Sequence, residues 1–294
     1  MDLLKKYDYT PSEEDIASGL EVIASGLDSI ASKEVFLKCF SFMDITTLHN
    51  NDTVASVTKF VGKVNTLESA FPDYPKPASI CVFPNYVGTV CSVRKSPSVH
   101  ATAAASCFPT TQTFNEVKVL ECEMAVNAGA DEIDVILPLE SFLGGDIQRA
   151  YEEICTMKAA IDAAAGGRKV IFKVILETGL LVTPERIAEA SFLAMEAGAD
   201  FIKTSTGKVD VNATPMAAFV MCECIRRYHE VTGRRVGFKA AGGISTAKDA
   251  LCYYCIVSTV LGPLWLTPSL FRLGVSRLGN SLMSAIEQKT VSFF

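Results

Sequence analysis

Lys203 sits inside an apolar run, Phe201-Ile-Lys-Thr-Ser-Thr-Gly-Lys208, that ends in a small-residue loop. An ammonium group taken out of water is costly and tends to give up its proton. A lysine kept neutral is the nucleophile that forms Schiff bases with carbonyl compounds. The loop beyond it offers backbone N–H groups, Gly207 and a second cation, Lys208. Exposed N–H groups and positive charge suit an anion such as phosphate. One octapeptide thus suggests a nucleophile with an anion site beside it.

The same search, for polar residues in strand-like apolar runs, returns Asp44, Cys81, Thr102, Asp134, Lys173 and Lys239. Lys203 and Lys239 fall in consecutive runs. Neighbouring strands lie about 4.8 Å apart, close enough for two ammonium groups to disfavour each other's charge. One of the pair is then driven neutral. Asp134 is a candidate for moving protons at the carbinolamine and enamine steps. Two further glycine loops, Ala241-Gly242-Gly243-Ile244 and Gly274-Val275-Ser276, follow the next two runs and suit an anion. The candidate catalytic set is Lys203, Lys239 and Asp134. Candidate substrate or phosphate contacts are Asp44, Cys81, Lys173, Thr204, Gly207, Lys208, Gly242, Gly243, Gly274 and Ser276. Cys81 also reads as a small core residue.

Eight runs must position these groups: Ser41–Ile45, Ser79–Phe83, His100–Ala105, Glu132–Leu137, Val170–Leu176, Phe201–Thr204, Val236–Ala240 and Leu270–Gly274. Helical periodicity fills the gaps, as in Thr113–Ala128, Gln148–Ala165, Thr183–Ala197 and Ala213–Thr232. Eight βα units predict a closed (β/α)8 TIM barrel of the α/β class, with its active site at the strands' C-terminal ends. A further helix over Pro11–Ala31 is expected to cover the barrel bottom. The expected layout is a single domain, with a helical extension over about residues 1–40 and the barrel over about 41–290. Asn127-Ala-Gly-Ala-Asp131 and Glu196-Ala-Gly-Ala-Asp200 echo one another before two of the runs and read as helix-ending punctuation.

Composition excludes several classes. A net charge of −6 and a pI of about 5.2 argue against a nucleic-acid partner. Ten scattered cysteines and three distant histidines, His49, His100 and His229, show no metal-ligand spacing. No metal and no cofactor is expected. Met1-Asp2-Leu3-Leu4-Lys5-Lys6 leads into acidic residues and no apolar leader, which predicts a cytoplasmic location. Ala250 to Phe271 carries no charge, but Gly262-Pro263 and Pro268 break it, so it reads as a buried helix and loop with no membrane span.

These residues resemble the deoxyribose-phosphate aldolase family, class I aldolases on a TIM barrel. The resemblance runs from about Phe42 to Ser281. It rests on Met43-Asp44-Ile-Thr-Thr-Leu48, Ile80-Cys81-Val-Phe-Pro84, Asp131-Glu-Ile-Asp134-Val, Phe172-Lys173-Val-Ile-Leu-Glu-Thr-Gly179, Phe201–Lys208 with Val211-Asn-Ala-Thr-Pro215, and Val236-Gly-Phe-Lys239-Ala-Ala-Gly-Gly243. It implies that Lys203 forms the Schiff base, that Lys239 lowers its pKa, and that Asp134 assists proton transfer. The implied reaction cleaves 2-deoxy-D-ribose 5-phosphate to acetaldehyde and glyceraldehyde 3-phosphate. No metal or organic cofactor is implied.

Departures from the family pattern cluster around the anion site. Ala240 stands for a proline and Ser245 for an arginine. Val275 and Arg277 alter the loop after the eighth strand, and Thr110-Thr111 alters the turn after Phe108-Pro109. The chain ends Ser292-Phe293-Phe294, where family members often carry a tyrosine. Arg277 could supply the cation lost at Ser245 or reshape the pocket. Three readings follow: this aldolase, with a homodimer as the expected assembly; the same Schiff-base chemistry on another substrate; or a barrel used as a scaffold for a protein partner. The last draws on the altered loops and the charge-free Ile256–Phe271.

Overall fold

The computed structural model describes residues 2–294. Eight parallel strands close into a barrel in sequence order: β1 (Met43–Thr46), β2 (Ser79–Val82), β3 (His100–Ala104), β4 (Glu132–Ile136), β5 (Ile171–Ile175), β6 (Phe201–Lys203), β7 (Gly237–Ala241) and β8 (Phe271–Val275). Helices alternate with them, so the expected α/β barrel is present. The first strand starts later than its run suggested. Ser41 is the last residue of the helix Lys33–Ser41, and Phe42 caps it.

Successive strand residues point to opposite faces. One set (Ile45, Ile80, Ile133, Val135, Phe172, Val174, Ile202, Phe238 and Leu273 among it) packs in the main hydrophobic core and is buried. The alternate set holds Asp44, Glu132, Asp134, Lys173, Lys203, Lys239 and Arg272, which meet one another inside the barrel. Register places Asp134 beside Lys173 and Lys203 beside Lys239. Ordinary parallel strands are apolar on both faces; here one face carries charge.

The repeated Ala-Gly-Ala-Asp segments do more than end helices. Asp131 Oδ2 accepts from the Ala101 N–H at 2.8 Å, and Asp200 Oδ2 accepts from the Phe172 N–H at 3.0 Å. Each aspartate ties the start of its own strand to the strand before it.

At the N-terminus the expected helix forms over Glu13–Ile30, and two shorter ones, Leu3–Lys6 and Lys33–Ser41, flank it. The longest does not cover the barrel bottom. It lies across the outer helices Pro215–Thr232 and Ala247–Val260. The reason is apolar burial: Ile16 and Ile23 need cover, and the uncharged stretch Ala250–Val260 of the second of these helices needs the same. Trp265, in the turn that follows, is buried and donates its indole N–H to the Val236 carbonyl at 2.9 Å. Most of the uncharged Ala250–Phe271 segment is therefore covered from within the chain, with Leu264 left exposed. Among the described residues, no helix is long and apolar enough to cross a membrane.

Candidate active site

A column of charge fills the barrel from its lower mouth upward. His100 Nδ1 lies 2.7 Å from Glu132 Oε1. Arg272 bridges Glu132 (2.7 Å) and Asp44 (2.5 Å). Lys173 pairs with Glu132 and with Asp134 Oδ1, the latter at 2.8 Å. Lys239 joins Asp44 (2.6 Å) to Asp134 Oδ2 (2.8 Å). Lys203 stands at the top and donates to the same Oδ2 at 2.8 Å. Arg272 and Glu132 escaped the sequence search, although both occupy alternate positions of apolar runs; extending the strand phase by two residues from Asp134 and Gly274 finds them.

The charges in this column do not cancel. Arg272, Lys173, Lys203 and Lys239 are four cations; Asp44, Glu132 and Asp134 are three carboxylates. Apart from Lys203, each cation touches two carboxylates. Lys203 touches one, and shares its oxygen with Lys239. Loss of one proton balances the column, and Lys203 is the cheapest place to lose it. Burial lowers its pKa, Lys239 adds to the lowering, and Asp134 opposes it. Burial also works against the Lys239 ammonium, yet Asp134 and Asp44 together raise its pKa. Burial alone would lift Asp134, but Lys173, Lys203 and Lys239 hold its carboxyl well below the usual carboxylate range. Two lysines in register are thus pushed in opposite directions.

Above the column lies a pocket of about 170 Å³. Lys203, Thr206, Gly207, Lys208, Gly242, Gly243, Gly274 and Ser276 line it together with Thr46, Leu48, His49, Ala241 and Val275. The loops after β6, β7, β8 and β1 therefore converge on the nucleophile. Gly242 has φ +85°, and a Cβ there would lie 2.6 Å from the Asn212 side chain, so only glycine fits without strain. At Gly274 a Cβ would lie 2.9 Å from Ala241 Cβ and 3.1 Å from Lys239 Cε, so its absence makes room for both. The helix Leu278–Glu287 starts just beyond this loop, with no side-chain cap at Arg277.

Other expected residues lie elsewhere. Thr204 turns its hydroxyl to Ala241, donating to the carbonyl and accepting from the N–H, and so braces β6 to β7. Asp44 and Lys173 sit below the pocket, inside the column. Cys81 is buried in a small apolar cluster with Leu48, Ala104, Phe83 and Phe108 at the barrel's upper rim, and burial pushes its thiol pKa up. Ser245 donates its N–H to Asp249, and Arg277 is exposed; neither lines the pocket. Lys208 reaches across the mouth to the Leu48 carbonyl at 2.7 Å. Glu177, in a left-handed backbone (φ 56°), accepts from the Thr206 N–H and hydroxyl and so holds the Thr206–Lys208 loop. Burial raises its pKa, and those bonds oppose the rise.

A closed (β/α)8 barrel with a buried amine beneath a glycine-lined pocket is the class of protein that this geometry defines. Comparison with known proteins gives the family. Residues 39–252 match the model described as DeoC/LacD family aldolase. The deoxyribose-phosphate aldolases of Mus musculus and Homo sapiens are each 38% identical over 263 residues, covering 86% of this chain and 80% of theirs. A solved structure described as a unique tetrameric deoxyribose phosphate aldolase from Aeropyrum pernix matches with a TM-score of 0.66 at 25% identity, over 93% of this chain and 98% of that one. The chain belongs to the DeoC/LacD aldolase family, and it is an enzyme of the lyase class.

Proposed function

We propose that the protein cleaves 2-deoxy-D-ribose 5-phosphate to acetaldehyde and glyceraldehyde 3-phosphate through a Schiff base on Lys203. The observation that carries this reading is the charge imbalance of the column, which leaves Lys203 as the one cation with a single shared partner. In its neutral form Lys203 Nζ adds to the aldehyde carbon. Loss of water from the carbinolamine, with a proton delivered to the departing hydroxyl, gives the iminium. The bond from the carbon next to the iminium to the hydroxyl-bearing carbon then breaks. Its electron pair moves toward the iminium nitrogen to form an enamine, while the hydroxyl loses its proton and becomes the carbonyl of glyceraldehyde 3-phosphate. Protonation of the enamine carbon and hydrolysis of the iminium release acetaldehyde and restore Lys203.

Lys239 suits the proton-donating and charge-stabilising part, because Asp134 and Asp44 hold it protonated. Asp134 Oδ2 contacts both lysines and links their protons. Gly207, Lys208, Gly242, Gly243, Gly274 and Ser276 line the pocket above Lys203, and in this reading they receive the phosphate end. Homologues named for this substrate support the assignment.

Incubation with deoxyribose 5-phosphate and borohydride, followed by peptide mapping, tests the reading. A reduced adduct on Lys203 is expected. An enzyme that releases acetaldehyde without such an adduct would overturn the mechanism, and one that releases none would overturn the substrate.

A cytoplasmic homodimer of single-domain chains belongs to the same proposal. The tetrameric neighbour supports self-association, as does the exposed apolar row Phe114, Val117, Leu120 and Met124. Sedimentation velocity checks it; a monomer at assay concentration would refute the dimer.

A further inference from the structure

His49 stands in the turn after β1 and lines the pocket above Lys203, where the sequence departures had pointed to Arg277 instead. Its ring is held by its neighbours. Thr47 Oγ1 donates its hydrogen to the Asp52 carboxylate, at 2.9 and 2.8 Å to the two oxygens. That leaves only lone pairs on Thr47 Oγ1 for His49 Nδ1, 3.2 Å away. Nδ1 must therefore carry a hydrogen. Asp52 Oδ1 lies 3.7 Å from the same nitrogen, and Asp52 Oδ2 accepts the His49 backbone N–H at 2.9 Å. Asp52 itself is nearly buried, with its side chain 7% exposed against 65% for His49. Tyr86 fixes the turn from the other side by donating to the Asp52 carbonyl at 2.6 Å.

This arrangement decides what the other ring nitrogen can do. With the hydrogen on Nδ1, a neutral imidazole has a bare lone pair at Nε2. A phosphate monoester dianion offers acceptors only, so it repels that lone pair. Once protonated, the ring gains an Nε2–H and a positive charge, which match the phosphate. The charged groups facing the ring are Asp52 from its own turn, Lys208 from the β6 loop bonded to the adjacent Leu48 carbonyl, and Lys203 deeper in the pocket.

We propose that His49 is a specificity-determining contact to the substrate's phosphate, binding it as the imidazolium, so that recognition of the phosphorylated sugar takes up a proton. This rests on the pocket being the phosphate end of an aldolase site. Lys208 and His49 then supply the cations of that end, and Ser245 needs no direct replacement.

The test is the pH dependence of KM for deoxyribose 5-phosphate in the wild type, His49→Asn and His49→Lys, with deoxyribose as the second substrate. The phosphate's own second ionisation, near pH 6, strengthens binding as pH rises and is common to all three proteins. In the wild type, loss of the ring's charge opposes it, so KM rises with pH. In His49→Lys the charge is fixed and that rise disappears. His49→Asn raises the low-pH KM roughly tenfold to a hundredfold, the weight of a charge-assisted hydrogen bond, and lowers the preference for deoxyribose 5-phosphate over deoxyribose by the same factor. A loss shared equally by both substrates, the mark of a turn that has merely loosened, would overturn the proposal, as would an Asn variant with the wild-type pH profile. Borohydride trapping on each variant separates two failures. An adduct on Lys203 with unchanged KM sinks the role of His49 alone, whereas no adduct in any of the proteins sinks the aldolase mechanism beneath it.

Discussion

The column inside the barrel and the pocket above it both hold cations, and they treat them differently. Below, Arg272, Lys173 and Lys239 each meet two carboxylates and are sealed from water. Above, Lys208 has one backbone carbonyl and Lys203 shares one carboxylate oxygen. A satisfied buried charge fixes geometry, and a charge short of partners is free to meet a substrate. The contrast teaches which charges hold the barrel and which await a ligand.

The largest effect that would sharpen this contrast is at the boundary. Lys203→Leu should lower turnover by at least about 10⁴-fold, the scale seen when a nucleophile is removed, while the fold survives. The stability effect has a definite sign. The folded-state pKa of Lys203 is depressed below that of the unfolded chain. The resulting penalty is full at pH values below the folded pKa and is relieved as pH rises from there toward the unfolded value. The wild type should therefore gain Tm with rising alkaline pH relative to Lys203→Leu, and equal slopes for the two proteins would contradict the depressed pKa.

Next comes Lys239→Met. It removes a positive charge that disfavours the Lys203 ammonium and leaves Asp134 more available to stabilise it. The acid limb of the kcat/KM profile should move to higher pH. Activity at neutral pH should fall by about 10²–10⁴-fold, the usual weight of a lost proton donor. An unmoved limb would break the claim that the two lysines set each other's charge.

Arg272→Met probes the column without touching the pocket. It leaves Asp44 with Lys239 alone and Glu132 with Lys173 and His100, and removing one partner from such buried ion pairs costs about 3–5 kcal/mol. Urea denaturation should register that loss. A variant as stable as the wild type would show that the column is not structural.

The smallest effect is at the rim. Lys208→Met should raise the KM for deoxyribose 5-phosphate by about tenfold or somewhat more, as for loss of one charged hydrogen bond, with little change in Tm. A large drop in stability would instead place Lys208 with the column.

Much of this was legible in the chain. Periodicity found all eight strands, because a strand buried on its outer face must repeat apolar residues at every second position. Lys203, Lys239, Asp134, Asp44 and Lys173 stood out because charge is rare in such runs. Arg272 and Glu132 broke the same pattern, but each sits near the start of its strand, where an exposed end reads equally well. The N-terminal helix was visible, whereas its resting place on Ala247–Val260 was not, since two apolar faces do not name each other.

What the sequence determined by itself was therefore the barrel, the polar phase of its strands and the loop glycines, all of which follow from local chemistry and period. The tertiary structure alone decided how four cations divide three carboxylates, that Arg277 stays outside the pocket while His49 enters it, and which lysine is left short of a partner. Those outcomes depend on distances across the barrel axis between strands far apart in the chain, and no local pattern records them.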